Sequence, residues 1–312
     1  MECEPSPLWI ERRGFVSNKP RKMTLEKKHN LTGWAFLAPA TFLLVVFSFW
    51  PMIKALVLSF QTGKGRNMQM AGFTNYIRMF QDDVFIQSIK NTFFYFIIQV
   101  PIMLLVALVL ACILNKKDLR FKGFFRTMIF LPCTTSLVAY SIIFRSLFAN
   151  DGLVNYVLVN VGILDRPYNF LTQPFAAKMV IILGLLWRWT GYNMVFFLSG
   201  LQNIEYSVYE AAKIDGASAI QTFFKITVPL LKPTILLTAI MSTNGTLQLF
   251  DESINLTDGG PANASISMSH YIYNLCFKYV PNLGYAAALS FFILLLVAVL
   301  AFIQMRVGDK RD

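Results

Sequence analysis

The chain has 312 residues, 55% of them hydrophobic and only 14% charged, against roughly 25% charged in an ordinary soluble domain. That balance weighs against a soluble globular protein, and the 15% of aromatic residues, 29 of them phenylalanine, excludes a disordered or collagen-like chain. The net charge of +11 could serve nucleic acid or anionic lipid, and its distribution along the chain decides between them.

The first 30 residues carry seven basic side chains and no compact apolar stretch ending at a small-residue cleavage site. They read as a polar tail, not a secretory signal. A spanning helix needs about 20 mostly apolar residues, and uncharged runs of that length recur from there on. Leu31 to Ile53, Asn91 to Asn115 and Tyr279 to Met305 carry no charge, nor do Thr127 to Phe144 and Pro233 to Phe250. A further apolar stretch, 176–199, holds Lys178 at its edge and Arg188 inside it. The sequence therefore predicts an all-α integral membrane protein with six transmembrane helices, at 33–59, 91–114, 127–149, 176–199, 234–256 and 283–305. The expected organisation is a tail (1–30), a membrane domain (31–306) with a long internal loop (201–233), and a short tail (307–312).

Six spans put both termini on one side. Eighteen Lys and Arg residues fall in 1–30, 115–126, 201–233 and 306–312, against six in 61–90, 150–175 and 257–283. Basic residues collect on the cytoplasmic side, so both termini are expected inside. The charge is spread over membrane-flanking segments and forms no single patch, which removes nucleic acid as its reason.

Chemistry-bearing motifs are missing. There is no G-x-x-x-x-G-K-[ST] loop to cradle ATP phosphates. His29 and His270 fall on opposite sides, and Cys3, Cys112, Cys133 and Cys276 show no C-x-x-C spacing. No metal site, no cofactor and no catalytic group is expected.

The loop 201–233 is long for a connection between two spans. Ser207 to Glu210 has the S-x-x-E form of a capping box, Gly216 suits a left-handed helix end, Ser218 to Gln221 repeats the capping form, and Pro229 stops the second helix. Two short amphipathic helices around a glycine corner are expected. An interfacial anchor and a docking surface both fit that composition.

Glu210-Ala211-Ala212, then Gly216, then Ile226-Thr227-Val228-Pro229 resembles the EAA loop of ABC-importer permeases, with Val228 where the family usually has Leu. Further segments are similar to carbohydrate permeases of the maltose-transporter type: Gly72 to Tyr76 with Asn91-Thr92, Trp187 to Asn193, Thr257 to Pro261, and Gly284 to Ala288. The resemblance covers residues 70–306. It implies a non-catalytic permease subunit in a bacterial plasma membrane. The implied partners are a second homologous permease, two cytoplasmic ATP-binding subunits, an extracytoplasmic solute-binding protein, membrane lipid and a sugar. It also implies that Glu210, Ala211, Ala212, Asp215, Gly216, Ile226 and Pro229 form the ATPase-coupling surface.

An ionisable side chain within a span is costly and rarely faces lipid. Arg188 lies mid-span among Trp187, Trp189, Thr190, Tyr192 and Asn193, and aromatic faces beside hydrogen-bond donors suit a sugar. The fifth span carries Ser242, Thr243, Asn244, Thr246 and Gln248, with Ser242 and Thr246 on one face. In the resembling family the helices beside the loop line the path. Trp187, Arg188, Thr190, Gly191, Tyr192, Asn193, Ser242, Thr246 and Leu249 are thus expected along it, with packing and carbonyl bonding as the alternative. Asp251 and Glu252 could pair with Arg145. An oligosaccharide is the expected cargo. An anionic sugar acid or glycerol phosphate is the alternative that Arg188 and Lys178 motivate, and an ion-coupled secondary transporter is the alternative outside the class.

Overall fold

A computed structural model describes residues 25–308 apart from 65–66 and 117. Most of the tail 1–30, including Cys3, and residues 309–312 of the C-terminal tail thus lie outside the described residues. The chain divides into two units, residues 1–53 and 54–312. In the first, α1 (Leu25–Leu44) runs through a π-helical turn at Val45–Phe49 into α2 (Trp50–Ser59), which continues past the unit boundary. The stretch Thr32–Ser59 is apolar and long enough to cross a membrane.

The second unit opens with a two-stranded antiparallel hairpin, β1 (Gln61–Lys64) and β2 (Asn67–Met70), in which Gln61 stands opposite Met70. Among the described residues this hairpin is the one departure from an all-helical reading. Then come α3 (Thr74–Met79), α4 (Asp83–Asn115), α5 (Lys122–Thr134), α6 (Leu137–Leu147), α7 (Leu153–Asn160) and α8 (Pro174–Gln202). The long loop holds α9 (Tyr206–Ile214), α10 (Ala219–Thr222), a π-helical turn at Phe223–Thr227 and α11 (Val228–Leu230). After it follow α12 (Lys232–Leu247), α13 (Asp251–Thr257), α14 (Met268–Tyr273), a π-helical turn at Asn274–Lys278, and α15 (Leu283–Gly308).

Among the described residues four helical stretches are long and apolar enough to span a membrane, and two bent pairs bring the number to as many as six. The expected third span, 127–149, is not one helix: α5 and α6 meet at 97°. The sequence at the bend explains it. Pro132 lacks an N–H, and the hydroxyls of Thr134 and Thr135 bond back to the carbonyls of Leu131 and Pro132 at 2.8 and 2.7 Å. The expected fifth span, 234–256, also ends early. α12 stops at Leu247, and after Gln248 to Phe250 the chain restarts as α13. On the expected cytoplasmic side the run Ala219–Leu230 meets α12 at 72°.

The packing centre is the pair α4 and α8. Ala107 and Ala111 of α4 are fully buried in one cluster with Met194, Phe197, Leu198 and Leu201 of α8, small residues giving the close approach that membrane helices use. α12 packs on α4 and α15, and α13 on α6 and α8.

On the expected extracytoplasmic side, distant motifs converge. Asn91 donates from its amide to the carbonyls of Asn263 and Ile266 (3.1 and 2.9 Å), and the Tyr95 hydroxyl donates to that of Ser265 (2.9 Å). The turn after Thr257-Asp258-Gly259-Gly260-Pro261 is thereby fixed to α4. Asp82 performs a similar task at the N-cap of α4. One of its oxygens accepts the N–H groups of Val84 and Phe85 at the start of α4, and the other accepts the hydroxyls of Tyr271 (2.6 Å) and Tyr285 (2.8 Å). Arg78 sits over the Tyr285 ring, 4.4 Å from its centre. Half-burial acts to raise the Asp82 pKa, but the hydrogen bonds from Tyr271, Tyr285 and the two N–H groups outweigh it and hold it below its ordinary 3.8.

A carboxyl with a depressed folded pKa stabilises above its unfolded pKa, and that stability is lost as pH falls through the folded value. Asp82→Asn should therefore lower the thermal midpoint of the detergent-purified chain by a constant amount above about pH 4, with the gap to the parent closing in stronger acid. A gap that persists unchanged down to about pH 2 would show that the clamp does not depend on the ionised carboxylate.

Candidate functional site

The loop 201–233 forms the expected helix pair. α9 ends in a two-bond left-handed cap: the N–H of Ala217 donates to Ala212 O (2.9 Å) and that of Gly216 to Lys213 O (3.2 Å), with Gly216 at φ +74°. Ser218 and Gln221 form a complete capping box at the start of α10. The other expected capping box does not form. α9 starts two residues early, with Glu205 at its N-cap in place of Ser207, and the Ser207 hydroxyl donates to the Glu205 carboxylate at 3.2 Å. Glu210 is thereby left out of the cap. It stands exposed with Ala211, Asp215, Gly216 and Pro229, while Ile226 is half-buried and Ala212 buried against the loop's own body. Ile214, Ile220 and Phe224 are 86%, 71% and 63% exposed around this corner. A surface that combines an unpaired acid with uncovered large apolar groups suits a partner more than water.

The membrane-embedded polar residues are arranged otherwise than expected. Arg188 is buried, its Nη1 donating to the Thr135 carbonyl at 2.9 Å, at the bend between α5 and α6. Its guanidinium lies 5.4 and 5.5 Å from the ring centres of Tyr140 and Trp189. Asn193 donates to Trp189 O and accepts from Ser242, and Thr246 donates to Gln99. Thr190 and Leu249 are buried. At Gly191 the helices α5 and α8 touch backbone to backbone, since a Cβ there would lie 2.0 Å from Ile129 O. Trp187 keeps an open edge while stacking on Tyr140, and Tyr192 packs edge-on against Trp189 and Phe196. Thus Arg188, Thr190, Gly191, Asn193, Ser242, Thr246 and Leu249 are engaged in packing within the chain and do not form one open face. Arg145 is exposed and unpaired with the acids of α13. Glu252 is buried. Lys178 lies over the Phe94 ring at 5.3 Å.

An open polar surface lies on the other side of α12. Asn244 and Gln248 are exposed and paired by their amides, and with Ser269 and Ser290 they edge a groove of about 580 Å³ floored by Ile293 and Val297. No charged side chain lines it. The sequence signal was present: Asn244 and Gln248 are four residues apart, on the face opposite Ser242 and Thr246. Among the described residues no His, Cys, Asp or Glu cluster has metal-binding geometry, and Cys112, Cys133 and Cys276 are free.

Residues 85–311 match the family described as the binding-protein-dependent transport system inner membrane component. The chain belongs to that family. It is 51% identical over 292 residues to the lactose transport system permease protein LacF of Rhizobium radiobacter, covering 93% of this chain and 98% of that one. It is 30% identical to the arabinooligosaccharides transport system permease protein AraP of Halalkalibacterium halodurans, covering 91% and 90%. A bacterial alginate ABC transporter, solved in complex with an alginate pentasaccharide-bound periplasmic protein, matches with a TM-score of 0.80 at 25% identity over 91% of this chain and 96% of that one. The chain is a multi-pass membrane subunit of a transport system, and the ion-coupled secondary transporter is set aside.

The α5–α8 contact gives a direct test. Overpacking a core costs typically about 1–3 kcal/mol, and at Gly191 the obstacle is backbone, which has little room to yield. Gly191→Ala should lower the unfolding midpoint and the yield of detergent-extracted protein. A parent-like midpoint would mean the two helices separate without cost.

Proposed function

We propose that this chain forms half of the translocation path of an ATP-driven, binding-protein-dependent importer in a bacterial plasma membrane, and that its cargo is a neutral oligosaccharide. A second, homologous permease supplies the other half. Of two cytoplasmic ATP-binding subunits one docks on the loop 201–233, and a solute-binding protein delivers the sugar from outside. The observation that carries this reading is the exposed corner of α9 and α10, with Glu210 free of capping and Ile214, Ile220 and Phe224 uncovered. The names of the lactose and arabinooligosaccharide relatives support a sugar, and the alginate complex supports the delivery protein.

The chain does no chemistry in this reading. Closure of the ATPases moves the helix pair, and α8 and α12, which flank the loop, carry the movement into the membrane. Transport then rests on differential affinity for the cargo in two conformations. The path-facing surface of this chain is the groove beside Asn244 and Gln248. Amides and hydroxyls there match sugar hydroxyls, and Ile293 and Val297 match apolar C–H faces. Neutral cargo follows from where the charges are: Arg188 is committed to Thr135 O and Lys178 to the Phe94 face.

Docking is tested by Gly216→Val and Glu210→Lys. A side chain at φ +74° costs about 1–2 kcal/mol and turns the corner away from its cleft. Both variants should insert normally yet lose co-purification with the ATP-binding subunits and lose uptake. Full uptake by Gly216→Val with undiminished complex would refute the docking role.

The groove is tested separately by Ser290→Trp, which fills it from α15. Uptake of lactose should fall at least about tenfold, a change worth about 1.4 kcal/mol, while the ATP-binding subunits still co-purify. Parent-like uptake would place the path elsewhere on the chain.

A further inference from the structure

The segment 257–283, expected outside the membrane, holds a buried histidine that neither the coupling loop nor the groove uses. His270 of α14 is 0% exposed. Its ring packs against Gly259, where a Cβ would stand 3.3 Å from His270 Cε1. The turn from Thr257 to Pro261 supplies that room, since Asp258 and Gly259 both take left-handed backbone, at φ +47° and +75°. The hydrogen bonds around the ring fix where it carries its proton. The Ser253 hydroxyl lies 2.9 Å from His270 Nδ1. That hydroxyl has one hydrogen, which it gives to the Ser265 carbonyl (3.1 Å), and it accepts the N–H of Ser267 (3.2 Å). Toward the ring it accepts as well, so in the neutral ring Nδ1 holds the hydrogen and Nε2 is bare. Nε2 is buried without a hydrogen-bond partner among the described residues, and Oδ1 of Asp258 stands 3.7 Å from it. Two acceptors thus face one another. Asp258 is itself held by Lys278, whose Nζ donates to both its oxygens at 3.0 Å.

We propose that His270 and Asp258 form a proton-operated latch on the expected extracytoplasmic side: one proton taken up at Nε2 turns two facing acceptors into an ion pair, which ties the end of α13 to α14 and loosens the hold of Lys278 on Asp258. The step adds a proton from solvent and breaks no covalent bond. Asp258 and Lys278 are the charged groups that face the ring. From α4, Thr92 accepts the Met268 N–H and the Tyr95 hydroxyl is turned to Ser265 O. Tyr271 and, from α15, Tyr285 are turned to Asp82. Asp251 and Glu252 stand at the other end of α13, and Phe250 meets the ring edge-on with 6.2 Å between centres. Burial holds the His270 pKa below its ordinary 6.5, while Asp258 pulls it up and Lys278 pushes it down. The ring is therefore neutral at neutral pH and takes its second proton in acid. Once charged, it is costly to part from Asp258, because a buried cation would be left uncompensated. Acid outside thus resists any movement of α13 against α14.

The chain has 2 histidines, and the other, His29, is exposed in α1. With His29→Gln as the parent, nitrogen NMR of the purified chain carrying isotope-labelled histidine reads His270 alone. At neutral pH the ring should show Nδ1 protonated and Nε2 bare. On acidification it should titrate as one site, and Asp258→Asn should lower the midpoint by at least about one pH unit, the lower range for losing an opposite charge this close. Lys278→Met should raise it. A neutral ring protonated at Nε2, a ring that stays neutral until the chain unfolds, or an unchanged midpoint in Asp258→Asn would overturn the proposal. Where Asp258→Asn yields no folded chain, Lys278→Met decides, and a midpoint that does not rise overturns it equally. The effect on movement rests on the importer reading and is read in the assembled complex with lactose. Taking the external pH from above the midpoint to below it should cut parent uptake at least about fivefold more than that of His270→Gln, the lower range for coupling between distant sites. Equal pH profiles in the two would overturn the latch. A parent complex without any ATP-dependent lactose uptake would instead strike at the importer reading with this cargo, and the titration would then decide the proton site by itself.

Discussion

Inside a bilayer there is no water to satisfy a backbone carbonyl, so every interruption of a helix at membrane depth must be answered from within the protein. This chain interrupts its third span at a right angle, and the answer is an arginine on the neighbouring helix, aimed at the open carbonyl. Much else follows from that contact. Arg188 is costly to bury, so it is flanked by the faces of Tyr140 and Trp189. Trp187 closes over Tyr140 from the outside. The close approach of α5 to α8 that brings Thr135 within reach requires that no Cβ stand at Gly191. The run Trp187 to Asn193 is therefore one construction, in which an aromatic shell, a cation and a glycine contact serve a single bend.

The two ends of the membrane domain are finished in opposite ways. At the expected extracytoplasmic end, Asp82, Asn91 and Tyr95 hydrogen-bond to segments that are distant in sequence, which braces that end. At the cytoplasmic end the loop is held by its own caps and leaves Ile214, Ile220 and Phe224 in the open. In the proposed importer this division is useful. The braced end keeps its shape for a delivered cargo, and the open end finds its stability only when the ATP-binding subunits cover it.

Polar residues in the fifth span show how a helix separates roles by phase. Ser242 and Thr246 turn inward to Asn193 and Gln99, where their hydroxyls complete a buried network. Asn244 and Gln248, two positions along, point the opposite way and edge the groove. Residues a hundred degrees apart per step in one short run thus serve packing and the proposed path at once.

From the sequence alone the membrane class, the approximate spans and the glycine corner at Gly216 could be read, because they depend on local quantities: apolar run length and turn chemistry. The capping form at Ser218 was legible for the same reason. The similar form at Ser207 was not decisive, since whether the N-cap falls at Ser207 or at Glu205 depends on how the end of α8 delivers the chain. What only the tertiary structure decided was rotation and depth. A helix polar on several sides does not declare which side meets its neighbours, so the inward turn of Ser242 and Thr246, and the outward one of Asn244 and Gln248, appeared only once α4, α8 and α15 were in place. Nor does a sequence show that an arginine in one span will answer a carbonyl in another. That pairing exists because Thr135 and Arg188, 53 residues apart, are brought together by a helix crossing that depends on a glycine.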